Sequence, residues 1–202
     1  WAQFKQLETA LQAQMPGDYG CVFTGSGDYH HLSQLLLNRL PTQQKFQLII
    51  CDNHPDNMRF PFGVHCGSWV RRVAMLPTVA HVHVVGITSA DIGPRHAWEN
   101  QWTPLRRGKL SYWSIGTDTR WAVRAGLGHA FNSFHDADAL TRAFIARQRY
   151  GSSPIVPLEL FRRRNFWSGN LATVFVYAAL SLNGFALAIF LQQSVGLSAT
   201  AA

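Results

Sequence analysis

Cysteine is scarce in this chain, and the little there is lacks ligand or disulfide spacing. Cys21, Cys51 and Cys66 make an odd count with no CxxC pair. That excludes a secreted disulfide framework and fits a reducing compartment. A dense Lys/Arg stripe interleaved with aromatics is also missing. The formal net charge is +7, but the surplus is scattered except at Arg71-Arg72, Arg106-Arg107 and Arg162-Arg163-Arg164. Nucleic acid is therefore not an expected partner. No cleavable signal pattern opens the chain. It begins at Trp1 rather than Met, from which a fragment or a processed product is expected. Acidic residues stop at Glu159, charges of either sign stop at Arg164, and all nine histidines precede Tyr150.

That loss of charge is the clearest boundary in the sequence. It divides the chain into an expected α/β domain over 1–148, a junction over 149–164 and a hydrophobic segment over 165–202. A length of 202 residues accommodates one domain with its own core plus an appendage. The hydrophobic share of 47% is ordinary for a globular protein.

Phe4, Leu7 and Leu11 recur at helical spacing, so residues 1–15 read as an amphipathic helix, broken at Pro16-Gly17-Asp18. Gly20 to Thr24 is a candidate strand and Gly25-Ser26-Gly27-Asp28 a turn. Helix is expected from about His30 to Leu40, with Leu32, Leu35, Leu36 and Leu40 on one face, ended by Pro41. Phe46–Cys51, His81–Val85 and Leu110–Ile115 read as strands. Helices are expected over 69–75, 96–105, 120–126 and 137–147. His81 and His83 alternate with valine, with no acidic residue nearby in sequence, and are expected to face solvent or the core edge. Strands alternating with helices imply a parallel sheet with helices on both faces, a three-layer α/β arrangement. Ligands collect at the carboxyl ends of such strands.

One such end carries Cys51-Asp52-Asn53-His54-Pro55-Asp56. Alternate residues of an extended segment point the same way, so Asp52, His54 and Asp56 are expected to converge. Two carboxylates and an imidazole suit a borderline-hard divalent ion such as manganese. A solvated Asp/Asn/Pro turn would use the same residues. Gly25-Ser26-Gly27 has neither the third glycine nor the lysine of a phosphate-cradling loop. Cys66 invites a thiol-nucleophile reading, but neither a lysine nor a clear helix start is placed to lower its pKa.

Taken together, Gly25-Ser26-Gly27-Asp28-Tyr29-His30-His31, then Asp52-Asn53-His54-Pro55-Asp56, then Gly63-Val64-His65-Cys66-Gly67 resemble the ureohydrolase (arginase and agmatinase) family over roughly residues 18–148. The resemblance implies an arginase-like α/β fold and two Mn2+ ions. It assigns His30, Asp52, His54 and Asp56 as metal ligands, with His31 the alternative to His30 because of the extra Tyr29. Asp28, which aligns with the family's first acidic position, is a further alternative or simply a helix cap. His65 matches the loop histidine that shuttles protons near the substrate. The implied reaction is hydrolysis of a C–N bond in a small guanidino or other linear amidine substrate. A metal-activated water would attack the carbon while a histidine protonates the departing amine.

The family's second acidic motif, Asp-x-Asp on a later strand, has no counterpart here. No aspartate follows Asp138, and Asp136-Ala137-Asp138 reads as the cap of the next helix. One Mn2+ or none is therefore expected, and impaired catalysis. Beyond the junction, Leu171–Leu191 is 21 residues without a charge, enough at about 1.5 Å per residue to cross a hydrocarbon core of roughly 30 Å. The arginine triplet before it predicts a cytoplasmic N-terminal side, with anchoring in the inner or plasma membrane through residues 165–192. Asn183-Gly184 within the span predicts packing against other helices. Pro157-Leu158 to Asn165-Phe166, Asn170-Leu171-Ala172-Thr173 and Tyr177-Ala178-Ala179 resemble the mid-chain loop and following helix of a major facilitator superfamily drug-efflux transporter. The whole reads as a truncated arginase-like domain joined near residues 148–156 to a foreign membrane segment. A transporter fragment and a non-catalytic α/β domain on a membrane anchor are the alternatives.

Overall fold

The computed structural model describes residues 2–15, 17, 22, 24, 27–41, 43, 45–150, 159, 162–196 and 198. The candidate strand at 20–24, the Gly25-Ser26 turn and the junction at 151–158 fall wholly or largely outside the described residues. The chain divides into two compact units, Trp1–Gly17 with Phe23–Ile155, and Asp18–Val22 with Val156–Ala202.

The first unit is α/β. Helix α1 (Ala2–Gln14) comes first, then a 3-10 turn over Gly27–Leu32 running into α2 (Ser33–Leu37). Strands β1 (Phe46–Cys51), β2 (Val79–Ile87), β3 (Leu110–Ile115) and β4 (Phe131–Phe134) form one parallel sheet in the order β1-β2-β3-β4. Between them lie α3 (Val70–Ala74), α4 (Trp102–Arg106) and α5 (Arg120–Arg124), and α6 (Ala137–Tyr150) follows β4. A parallel sheet built in sequence order by right-handed crossovers carries its connecting helices on one face.

That face is the apolar one. Leu48, Ile50, Val82, Val84, Leu110 and Tyr112 lie on it by the alternation of the strands. Val82, Val84, Leu110 and Tyr112 join Val70, Val73, Ala74, Leu105 and Ala122 in a single buried cluster. At the end of β2 the register shifts between Val85 and Ile87. Gly86 sits at φ +97° there, a conformation that suits glycine and makes a bulge. The bulge turns Ile87 into the core and lets Thr88 and Ser89 donate their amides to the Asn53 carbonyl at 3.3 and 3.2 Å. The loops after β1 and β2 are thereby tied together.

The opposite face is mixed. Gln47, His81, His83, Ser111 and Trp113 lie on it, and Phe144 of α6 meets Trp113 edge-on at 6.0 Å. His83 departs from expectation: it is 2% exposed rather than solvent-facing or at the core edge. Its partners on neighbouring strands explain this. Trp113 Nε1 donates to His83 Nδ1 at 3.3 Å, so the ring proton is on Nε2, 3.2 Å from Gln47 Oε1. His81 is half-buried, held by the Gly108 carbonyl at 2.9 Å and Ser111 Oγ at 2.8 Å.

Two expected helices are shorter than their patterns. The helix from His30 is a 3-10 turn plus one α turn. The helix at 96–105 is split, because Asn100 leaves helical geometry to bridge Met58 and only Trp102–Arg106 is α-helical. Asp136 caps α6 as expected, with its Oδ1 accepting the Ala139 amide at 2.7 Å. In the second unit, α7 (Arg164–Gln193) is a continuous helix of 30 residues with none of them buried. Its most apolar 18-residue window has a mean hydropathy of 2.1, so this one described helix is long and apolar enough to span a membrane.

Candidate metal centre

The site lies at the carboxyl end of β1. Asp52 is the first residue beyond the strand, and its amide still bonds to Val85 O at 3.1 Å. Its Oδ1 accepts the His54 amide at 2.9 Å, an Asx turn that bends the chain sharply. Asp56 then adopts φ +47°, a left-handed conformation that aspartate tolerates better than most side chains. Its carbonyl accepts the Val70 amide at 3.0 Å at the start of α3, and its Oδ2 accepts Trp69 Nε1 at 3.0 Å. Backbone and carboxylate are thus each held, at 3% exposure for the residue.

His30 reaches the same point from the 3-10 turn. Its Nε2 lies 2.6 Å from Asp56 Oδ2, 3.9 Å from Asp52 Oδ2 and 3.2 Å from the Cys66 carbonyl. Its Nδ1 bonds to the Gly27 carbonyl. One donor atom from each of His30, Asp52 and Asp56 lies within 4.8 Å of the others. Burial opposes charge on His30, but the Gly27 carbonyl, Asp56 and Asp52 outweigh it and raise the imidazole pKa. Burial also pushes the Asp56 carboxyl up, with Asp52 adding to it against the bonds from Trp69 and His30. The 2.6 Å contact places one proton between His30 Nε2 and Asp56 Oδ2, a proton that a cation could replace.

The donor set fits a divalent ion. With Nδ1 directed at a backbone carbonyl, Nε2 is the nitrogen left to bind a metal, the usual arrangement for a ligating histidine. The oxygen-rich remainder suits Mn2+. His54 stands outside this cluster. Its side chain is 56% exposed and its Nδ1 is 3.5 Å from Asp52 Oδ1. His31 is not part of that cluster; its Nδ1 lies 3.0 Å from the Asp28 carbonyl. Burial, His30 and His65 together lower its pKa, the Asp28 carbonyl working against them.

A cavity of about 440 Å³ opens over the cluster, and Asp28, His54 and His65 line it together with His30, Asp52 and Asp56. His65 is fixed by its own turn. Its Nδ1 accepts the Gly67 amide at 3.1 Å, its amide bonds to Ser68 Oγ at 3.1 Å, and Phe60 stands edge-on at 4.2 Å. Sequence reasoning missed three residues here. Asp91 lines the cavity, held by Ser89 Oγ at 3.0 Å. Its signal was its place just beyond the end of β2, where ligands gather. Met58 lines the wall, and Trp69 fixes Asp56. Nothing in the local pattern of either gave that away.

No family model matches the chain, and no solved structure matches it. Among curated proteins, an uncharacterized protein of Thermotoga maritima is 33% identical over 72 residues, which are 36% of this chain and 29% of that protein. The match therefore spans less than a third of that relative's length.

Proposed function

We propose that the first unit is a metal centre of arginase type, a hydrolase site for a C–N bond of a guanidino or amidino compound, reduced to one metal position. In this reading the fold is a truncated form of the three-layer arginase-like sandwich. The observation that carries it is the convergence of His30, Asp52 and Asp56 donors within 4.8 Å at a strand's carboxyl end. Those three residues would hold a Mn2+ ion, with His54 able to join from the rim. A bound ion would supply an activated water at neutral pH. Asp28 and Asp91 add negative charge to the cavity wall and favour a guanidinium cation over a neutral amide. His65, whose Nδ1 accepts from Gly67 and which therefore carries its proton on Nε2, would hydrogen-bond through that Nε2–H to the departing amine, which takes its proton from the attacking water. No aspartate follows Asp138, so a second ion lacks its carboxylates, and turnover is slow.

Mn2+ titration of the metal-free chain tests this reading. One ion per chain is expected, with binding lost in Asp52→Ala and Asp56→Ala; no binding by the parent would contradict the reading outright. Two ions per chain would contradict the single position, and undiminished binding by both variants would contradict the site. A second reading concerns α7, whose 30 residues include none that are buried. We propose that residues 165–192 anchor the chain in the inner or plasma membrane, with Arg162-Arg163-Arg164 on the cytoplasmic side. The likeness to a transporter helix supports that setting. A single described span offers no transport path, so an anchor is favoured over a carrier.

A further inference from the structure

Four tryptophans of the first unit spend their ring N–H inside the fold. Trp69, Trp102, Trp113 and Trp121 donate to Asp56, the Ala97 carbonyl, His83 and the Ile92 carbonyl. Trp98 is instead 67% exposed, and Phe62 is 82% exposed. The two belong to one surface. Phe62 meets Phe60 edge-on at 5.6 Å. The Arg59 amide donates to the Glu99 carbonyl at 2.7 Å, and Arg59 Nε to the Asn100 carbonyl at 3.2 Å, so the loop holding Phe60 and Phe62 runs beside the turn holding Trp98. Arg72 reaches the same loop from α3, with its Nη2 3.4 Å from the Gly63 carbonyl. From Asn57 to Ala90 the chain has three arginines, Arg59, Arg71 and Arg72, and no acidic residue. Glu99, the carboxylate of the Trp98 turn, is paired with His96 Nδ1 at 3.0 Å. Exposed aromatic rings are thus flanked by arginines.

We propose that Phe60, Phe62 and Trp98, with Arg59 and Arg72, form a docking surface for an anionic phospholipid bilayer. Each side chain matches one layer of such a surface. Phenylalanine on an exposed loop enters the acyl boundary. Tryptophan settles at headgroup level, where its ring is apolar and its N–H is wet. Arginine pairs with lipid phosphate. The cations select the lipid: an anionic leaflet attracts each arginine by about fivefold in the ratio of docked to free protein. Pro61, between the two phenylalanines, fixes its own backbone, so less freedom is lost on docking. Docking rests on the anchor reading for one thing, the nearness of a bilayer, which a tether turns into a high effective concentration of lipid. It does not depend on the hydrolase reading. Phe60 stands edge-on to His65 at 4.2 Å, so docking would bring the cavity wall to the lipid–water interface.

The test is tryptophan quenching in the full chain, reconstituted into vesicles whose lipids carry bromine on the upper acyl carbons. Trp98 is read as the difference between each chain and its Trp98→Phe form. Trp167, in the first turn of α7, is read in the same way from Trp167→Phe. In phosphatidylcholine mixed with phosphatidylglycerol, both should be quenched. In pure phosphatidylcholine, only Trp167 should be. Phe62→Ser should lower the docked-to-free ratio read at Trp98 by about tenfold, the scale of one phenylalanine side chain returned to water. Arg59→Gln combined with Arg72→Gln should lower it by about 25-fold. Phe62→Ser acts at an exposed position and keeps the test decisive if the arginine variant folds poorly, as judged by its circular dichroism. Trp98 quenching that is equal in the two kinds of vesicle, or unchanged in Phe62→Ser, would overturn the docking surface. Quenching of Trp167 without Trp98 would overturn it and leave the anchor standing. Quenching of Trp98 without Trp167 would overturn the anchor and leave the docking surface standing.

Discussion

His83 shows how much one buried side chain can govern. At 2% exposure, between Gln47 and Trp113, its pKa is lowered to about 3 by burial first, and then by the neighbouring His81 and Arg147. In the unfolded chain an imidazole titrates near 6.5. Between those values the unfolded chain takes up a proton that the folded one refuses, so stability falls as the pH falls through that window. The loss approaches about 1.4 kcal/mol per pH unit for this one group. His83→Asn removes it. Urea midpoints at pH 7 and pH 5 should therefore fall further for the parent than for the variant. Equal falls would mean His83 charges freely in the fold. The sequence showed the valine alternation that puts His81 and His83 on one face. It could not show that Gln47 and Trp113, from two other strands, close over the second imidazole.

Elements were legible where periodicity was strong and uninterrupted. The strands Phe46–Cys51, Val79–Ile87 and Leu110–Ile115 stand out as apolar runs closed by polar residues or glycine. Strand β4 did not, because Phe131-Asn132-Ser133-Phe134 is four residues long with polar ones at its centre. It pairs because Tyr112 and Trp113 of β3 supply Phe131 and Phe134 with aromatic neighbours, at 5.1 and 6.1 Å between ring centres. The helix read over 96–105 failed for a tertiary reason. Asn100 is drawn out of helical geometry into a buried brace. Asn57 Nδ2 donates to Tyr112 OH at 2.8 Å, Tyr112 OH donates to Asn100 Oδ1 at 3.0 Å, and Asn100 Nδ2 donates to the Asp91 carbonyl at 2.8 Å. That chain joins β3 to the loops on either side of the cavity. Tyr112→Phe keeps the ring in the core and leaves Asn57 and Asn100 each short of a partner, at a cost of about 1–3 kcal/mol. Chemical denaturation should register it, and an unshifted midpoint would show that water replaces the hydroxyl without loss. The candidate site was legible to a similar degree. The alternation after β1 brought out Asp52 and Asp56, and the turn before α2 brought out His30. The outward position of His54 follows from the Asx turn at Asp52 and from the left-handed backbone of Asp56, which end the extended geometry that the spacing assumed.

At the scale of the molecule, the two units ask for different surroundings. The first buries a valine-rich sheet face under short helices and carries an open cavity lined by histidines and aspartates. The second consists chiefly of a helix of about 45 Å, from 30 residues at about 1.5 Å each. Along it Phe175, Leu182 and Phe185 are 66–68% exposed. In water that apolar surface would be a liability for aggregation. In a bilayer it is the requirement for insertion, and the charged Arg162-Arg163-Arg164 stops at the interface. Detergent phase separation distinguishes the two settings. The full chain should pass into the detergent-rich phase, and a chain ending at Tyr150 should stay in the aqueous phase with its Mn2+ binding intact, since His30, Asp52 and Asp56 all belong to the first unit. If the full chain also stays aqueous, α7 is covered by protein rather than lipid and the anchor reading falls. If the shortened chain loses Mn2+ along with its fold, the metal centre depends on the tail, and the independence of the two units falls with it.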